Sequence, residues 1–156
     1  MLRSISRVAA GLAALALAIT PAVVAAAPAS ATPAPSGRCS DAYQVGSTKV
    51  VPDEHGQSAM SIKQYWSPNC QENYAYAYVW QSFRASHSGV WTISVGEIWV
   101  KSPGVETNPV ADTTVDTRQV ELWSPGFAGA GRCTYATAML AWGNYGSDGN
   151  TDKRCG

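Results

Sequence analysis

The chain has 156 residues, and its 11 basic and 11 acidic side chains balance to a net charge of zero. This length suits one compact domain. The sequence contains no Lys/Arg run, which argues against nucleic acid or an anionic membrane surface as the main partner. Its four cysteines lack CxxC spacing, so we expect no zinc site and no cofactor.

The first 31 residues are typical of a secretory signal peptide. Arg3 and Arg7 form a basic start, an apolar run follows from Val8 to Thr20, and small residues precede a cleavage site after Ala31. The apolar run is short for a membrane span. Cleavage would remove two basic and no acidic residues, leaving 125 residues with a net charge of −2. We therefore expect a secreted, extracellular protein without a membrane anchor.

Residues 32–38 resemble a flexible leader because Pro and Gly are frequent there, and residues 39–156 are predicted to form a single secreted β domain. β-Branched and aromatic residues dominate this domain, in short runs separated by turn residues. Strands at this spacing predict an all-β fold, either a small antiparallel sandwich or a barrel. The runs predict about six strands: Tyr43–Val51, Met60–Trp66, Asn73–Phe83, Val90–Lys101, Thr114–Trp123 and Arg132–Trp142.

The four cysteines, Cys39, Cys70, Cys133 and Cys155, all lie in the predicted domain. An even number in a small secreted domain indicates disulfides, and three pairings are possible. We favour Cys39–Cys70 and Cys133–Cys155, because each bond would then tie down one end of the domain.

Two segments resemble the YjfA-like domain, "CSDAYQVGS" from Cys39 and "YWSPNCQENYAYA" from Tyr65. Members of this family are small secreted bacterial proteins of unassigned function, frequent in actinobacteria. They carry Cys followed by Asp-Ala and, later, a motif of the type Tyr-Ser-Pro-x-Cys-x-x-Asn-Trp-Ala. The C-terminal "CTYATAMLAWGNY" is also similar to spore-associated secreted proteins of streptomycetes. The resemblance implies an extracellular β domain and supplies no active site. The positions that match the second motif are Ser67, Pro68, Cys70, Asn73 and Ala75.

The stretch "NYAYAYVW", residues 73–80, alternates large and small side chains. On a strand, its aromatic residues share one face and its small apolar residues share the other. The rings could form one wall of a core between two sheets, or they could face outward as a platform that stacks on sugars or on another copy. We favour rings that are mostly covered, and keep the platform as a possible binding surface. The residues of this stripe are Tyr74, Tyr76, Tyr78 and Trp80.

Few carboxylates are placed to carry out catalysis. Glu97 lies in the apolar run "ISVGEIWV", where burial would raise its pKa. Glu121, in "QVELW", is its natural partner in a hydrolase that uses two carboxylates. The interpretation that we favour instead places Glu97 on the solvent face of an edge strand, with Gly96 at a bulge.

Other polar motifs give weak signals. The two histidines, His55 and His87, lie in Gly-flanked turns, and we expect them to be solvated. Ser86 neighbours His87, but adjacent residues in a turn rarely adopt the geometry of a catalytic triad. The segment from Asp148 to Asp152 is spaced like the start of a calcium loop. Lys153 stands where such a loop needs glycine, so we interpret the segment as a polar turn.

The sequence thus favours a non-enzymatic β domain that acts by surface interaction. Its aromatic surplus and the lack of a catalytic constellation suit binding to cell-wall glycan, a cell or spore surface, or an extracellular protein. Two alternatives remain open. One is an inhibitor of a secreted enzyme that presents the disulfide-braced loop "WSPNC", which would lose little entropy on binding. The other is a small hydrolase that uses Glu97 and Glu121.

Overall fold

The computed structural model of this protein describes residues 38–156. The predicted signal peptide and most of the predicted leader lie outside this range. Within it, strands dominate and one short helix interrupts them. The elements are β1 (Tyr43–Pro52), β2 (Ser58–Ser67), β3 (Glu72–Val79), α1 (Gln81–Ser86), β4 (Trp91–Ser102), β5 (Val105–Thr117), β6 (Glu121–Trp123), β7 (Phe127–Ala128), β8 (Cys133–Trp142), β9 (Tyr145–Asn150) and β10 (Arg154–Cys155).

The strands form two antiparallel sheets. The first has the order β1-β2-β3-β6, and β7 also pairs with β3; the second has the order β10-β8-β4-β5, and β9 also pairs with β8. Apolar side chains from both sheets form one buried cluster, to which Ile62 and Ala77 contribute from the first sheet and Ile93 and Leu140 from the second. The two sheets therefore enclose the core between them, and the predicted all-β, disulfide-braced fold is confirmed.

The third predicted strand was too long. β3 ends at Val79, and the next residues form the helix α1, whose Phe83 is buried in the core between the sheets. Within residues 38–156, no helix has the length and apolar character of a membrane span.

The prediction of one strand over Thr114–Trp123 was wrong, because its last residues form β6 and its first residues belong to the longer strand β5. This strand begins at Val105 and is a separate element from β6. It pairs with β4 on one side only, at the edge of the second sheet. An edge strand tolerates proline, which lacks the N–H that a ladder needs, and this explains Pro109 inside β5.

The C-terminal segment is more regular than its composition suggested. Asp148 and Asn150, expected in a polar turn, lie in β9 and pair with residues of β8. β10 then adds two residues to the same side of β8. A Gly- and Asn-rich sequence can form a strand here because the long strand β8 supplies its hydrogen-bonding partners.

Both favoured disulfides are present in the structure. Cys39–Cys70 joins the segment before β1 to the turn between β2 and β3, and Cys133–Cys155 joins β8 to β10. Arg38, the last residue of the predicted leader, donates hydrogen bonds to the carbonyl oxygens of Trp123 and Ser124 at 3.1 and 3.0 Å. The N-terminal segment, residues 38–42, is thereby fastened to the first sheet.

Candidate functional site

The aromatic stripe alternates as the sequence predicted, but its rings do not lie between the sheets. The small residues Ala75, Ala77 and Val79 face the core. Tyr74 and Tyr76 project from the other side of β3 and are nevertheless 3% and 2% exposed. Because a strand has only two faces, β3 is buried on both of them near its centre.

A second buried cluster explains how the outer rings are covered. Tyr65, Tyr74, Tyr76 and Trp123 belong to it, and Ala42 packs against it. The ring centroid of Trp123 lies 4.8 Å from that of Tyr65 and 4.6 Å from that of Tyr76. The N-terminal segment thus contributes to the cover of this aromatic cluster.

The hydroxyl of Tyr74 is partnered within this cluster. It donates to Oε2 of Glu72 at 2.6 Å. Burial, together with this hydrogen bond to a carboxylate, raises the pKa of Tyr74 to about 12. The phenol therefore stays protonated and keeps its hydrogen bond throughout the neutral range.

The end of the stripe remains open to solvent. Tyr78 is half-buried and Trp80 is 39% exposed, and their ring centroids are 6.4 Å apart. The strand register places Ser61, Tyr78 and Glu121 in one row across the sheet. Together these side chains border a shallow groove of about 360 Å³, called the outer groove below. Its lining residues are Thr48, Ser61, Lys63, Tyr76, Tyr78, Trp80 and Glu121.

Glu97 is not on an edge strand, and this corrects the interpretation favoured from the sequence. β4 lies between β8 and β5, and the Glu97 side chain is 0% exposed. Gln64 Nε2 donates to Glu97 Oε2 at 3.3 Å and to Thr134 Oγ1 at 2.6 Å. Burial raises the pKa of Glu97 to about 8, which agrees with the alternative that we did not favour from the sequence.

The two candidate carboxylates do not form a pair. Glu97 is enclosed on the second sheet, whereas Glu121 is exposed and lines the outer groove on the first sheet. A hydrolase of this type needs both carboxyl groups beside one scissile bond. The geometry therefore gives no support to the proposed hydrolase pair.

A larger cavity of about 510 Å³, called the terminal cleft below, opens at one end of the domain. Tyr43, Trp66, Arg132 and Arg154 are among its lining residues. The guanidinium of Arg132 stacks on the Trp99 ring at 4.4 Å, and Arg154 lies 3.6 Å from an oxygen of Asp152. Both cations thus already have partners within the domain. Sequence reasoning missed this cleft because its walls come from distant segments.

The histidines occupy a more structured site than expected. His87 follows α1 and stacks on Phe83 with ring centroids 4.1 Å apart, so it is not a solvated turn residue. Its Nε2 lies 3.3 Å from Glu54 Oε1, and Nε2 of the exposed His55 lies 3.7 Å from the same oxygen. Trp142 Nε1 donates to Glu54 Oε2 at 3.1 Å. Three side chains, one from each of three parts of the chain, therefore meet around one carboxylate.

Ser86 and His87 do come into contact, at 3.0 Å between Oγ and Nδ1, but they do not form a nucleophile–base pair. The serine hydroxyl also lies 3.0 and 3.1 Å from the carbonyl oxygens of Ser82 and Phe83, both of which can accept its single proton. His87 Nδ1 is 3.0 Å from the carbonyl oxygen of Phe83 and must carry a proton to bond with it. A protonated Nδ1 cannot accept the serine proton, so this contact gives no support to a serine nucleophile.

Comparison with known proteins gave no relative: no protein-family model, no curated protein and no solved structure matches this chain. The resemblance to YjfA-like domains therefore stays a prediction, and the function has to be inferred from the sites described above.

Proposed function

We propose that this chain is an extracellular binding domain that holds cell-wall glycan in the outer groove without chemical turnover. One observation carries the proposal: Tyr78 and Trp80 stay accessible at the end of an aromatic face that is otherwise covered. They lie beside polar side chains of both donor and acceptor type, among them Lys63 and Glu121.

The chemistry of the groove suits a sugar ring. A sugar offers apolar C–H faces and many hydroxyl groups. The rings of Tyr78 and Trp80 can cover the C–H faces with little loss of side-chain entropy, because each has only two side-chain torsions. The Lys63 ammonium donates hydrogen bonds, the Glu121 carboxylate accepts them, and the Ser61 hydroxyl does both. A shallow groove also lets a polymer continue beyond the bound units.

The rigidity of the groove supports binding further. Its base includes Tyr76, which is held against Trp123 and almost fully buried. A surface that is ordered before binding loses little conformational entropy when the ligand arrives. Two disulfides brace the same domain, and disulfides are typical of oxidising, extracellular compartments. This agrees with the predicted signal peptide and the proposed secretion.

The test is cosedimentation of the mature protein with cell-wall polysaccharide from which proteins have been removed by protease. We expect Trp80→Ala to weaken binding by about 10- to 100-fold, equivalent to about 1.4–2.8 kcal/mol of lost contact. Tyr43→Ala is the matched control, because it removes an exposed ring from the terminal cleft instead.

Three results would contradict the proposal. Binding lost in Tyr43→Ala and kept in Trp80→Ala would move the site to the terminal cleft. Absence of binding to any wall polysaccharide would remove glycan as the ligand. Release of reducing sugar ends by the wild-type protein would show that the domain is an enzyme.

A further inference from the structure

We propose that Glu54, His55 and His87 form a binding site for a first-row transition cation, with zinc as the reference ion. The chain has only two histidines. They are distant in sequence, yet both approach the same carboxylate oxygen of Glu54. This site is separate from the outer groove and does not depend on the glycan proposal.

The spacing between the Glu54 and His87 ligand atoms fits zinc. Metal–ligand bonds of about 2.0–2.1 Å in a tetrahedral site place neighbouring ligand atoms about 3.3 Å apart. Glu54 Oε1 lies 3.3 Å from Nε2 of His87 and 3.7 Å from Nε2 of His55. His55 is not in the group whose ligand atoms all lie within 4.8 Å of one another, so its exposed side chain would have to turn towards Glu54 and His87 to ligate the cation.

Asp53 can supply a fourth ligand. One of its carboxylate oxygens and the ligand atoms of Glu54 and His87 all lie within 4.8 Å of one another. Its Oδ1 accepts hydrogen bonds from the backbone amides of His55 and Gln57 at 2.9 and 2.8 Å. These bonds fix the carboxylate and the loop that carries three of the four ligands.

The groups around the ligands orient them for metal binding. His87 Nδ1 lies 3.0 Å from the carbonyl oxygen of Phe83, so its proton belongs on Nδ1 and the lone pair of Nε2 faces Glu54. Trp142 Nε1 donates to the second oxygen of Glu54 and leaves Oε1 for the cation. Histidine ligands in metal sites usually donate their other N–H in this way, and ligating carboxylates are usually hydrogen-bonded.

The ligand set determines which cation should bind. Imidazole and carboxylate together suit zinc, copper and nickel, whereas calcium and magnesium prefer sites made of oxygen ligands only. Zinc should therefore bind in the presence of excess calcium. A bound cation would connect the loop after β1 with the residue that follows α1.

The experiment is a zinc titration of the untagged mature protein, followed by NMR of the imidazole protons. Because the chain has two histidines, two sets of ring signals report on both proposed histidine ligands. We expect both sets to shift together and to saturate at one equivalent of zinc, and we expect no shift with calcium. The melting temperature should rise by several degrees at saturating zinc, since the folded state alone presents the site.

Two variants and a control complete the test. His55→Ala removes a side chain that is 71% exposed, so the fold should persist while zinc affinity falls at least tenfold. Glu54→Gln should lower affinity by a similar or larger factor. Asp148→Asn, on the surface of β9, should bind zinc like the wild type.

Several outcomes would overturn the inference. They are zinc shifts confined to one histidine, equal affinity in His55→Ala and the wild type, loss of binding in Asp148→Asn, and equal competition by calcium.

Discussion

Replacing Glu97 with glutamine should stabilise this protein, although the change removes a native side chain from its interior. Glu97 is 0% exposed, and its Oε1 has no hydrogen-bond partner among the described residues. Its Oε2 receives one hydrogen bond, from Gln64. Glutamine has nearly the same shape and is neutral at every pH, so Glu97→Gln changes the ionisation and little else.

The magnitude follows from the pKa. Burial raises the pKa of Glu97 from 4.5 to about 8, so between these values the folded protein holds a proton that the unfolded chain releases. The free energy of unfolding then decreases as the pH rises, by up to about 1.4 kcal/mol per pH unit. Below pH 4.5 the carboxyl group is protonated in both states, and its burial no longer lowers the free energy of unfolding through ionisation. At pH 7 the cost amounts to about 3 kcal/mol, and Glu97→Gln should recover most of it.

The assay is urea unfolding of the oxidised protein at a series of pH values from 4 to 8. We expect Glu97→Gln and the wild type to be equally stable at pH 4, and the variant to be more stable by about 3 kcal/mol at pH 7. Glu121→Gln is the control, since it removes a carboxylate that is exposed instead of buried. A constant difference between wild type and Glu97→Gln at all pH values would refute the reasoning, as would a variant less stable at pH 7.

Two further predictions concern the first sheet. Tyr76→Ala should lower the free energy of unfolding by about 3–5 kcal/mol, because it leaves a cavity in a buried aromatic cluster. Tyr78→Ala should lower it by less than about 1 kcal/mol, because that ring is only half-buried. Equal losses of stability for the two variants in thermal melts would contradict this reasoning. Hydrogen bonds from the Ser67 hydroxyl and the Asn69 amide lower the pKa of Asp41. Their contribution to stability should be complete above the ordinary pKa of Asp41 and should be lost as the pH falls from that value through the lowered pKa of the folded protein. Asp41→Asn should remove this pH-dependent contribution to stability. If acid increases hydrogen exchange near Cys39 equally in Asp41→Asn and in the wild type, the prediction is wrong.

The sequence predicted the alternation of β3 but not the direction of its faces. Period-two spacing separates Tyr76 from Ala77 on any strand. Which face meets the second sheet depends on the N-terminal segment and on Trp123, which are distant in the chain. The tyrosine face is covered by these parts, and the small-residue face meets the core.

The candidate sites, too, could be predicted from the sequence only in part. The apolar neighbours of Glu97 kept a buried carboxylate with a raised pKa open as an alternative, but the interpretation that we favoured placed Glu97 on a solvent face, which was wrong. Its place on a central strand follows from the pairing of β4 with β8, which no local pattern encodes. His55 and His87 each looked like isolated turn residues. His55 neighbours Glu54 in the sequence, but only the return of the chain after α1 brings His87 to the same carboxylate.

The edge strand β5 limits how copies of this protein can associate. Its 13 residues form the end of the second sheet, where a foreign strand could add to the unpaired backbone groups. Pro109 supplies no N–H there, and Glu106 and Asp112 place negative charges along the strand. Its ladder with β4 is irregular at three points, and Asp116 adopts a left-handed conformation with φ of 44°. The same strand of another copy would meet like charges and an interrupted register, so open-ended polymerisation through this edge is disfavoured even at high protein concentration.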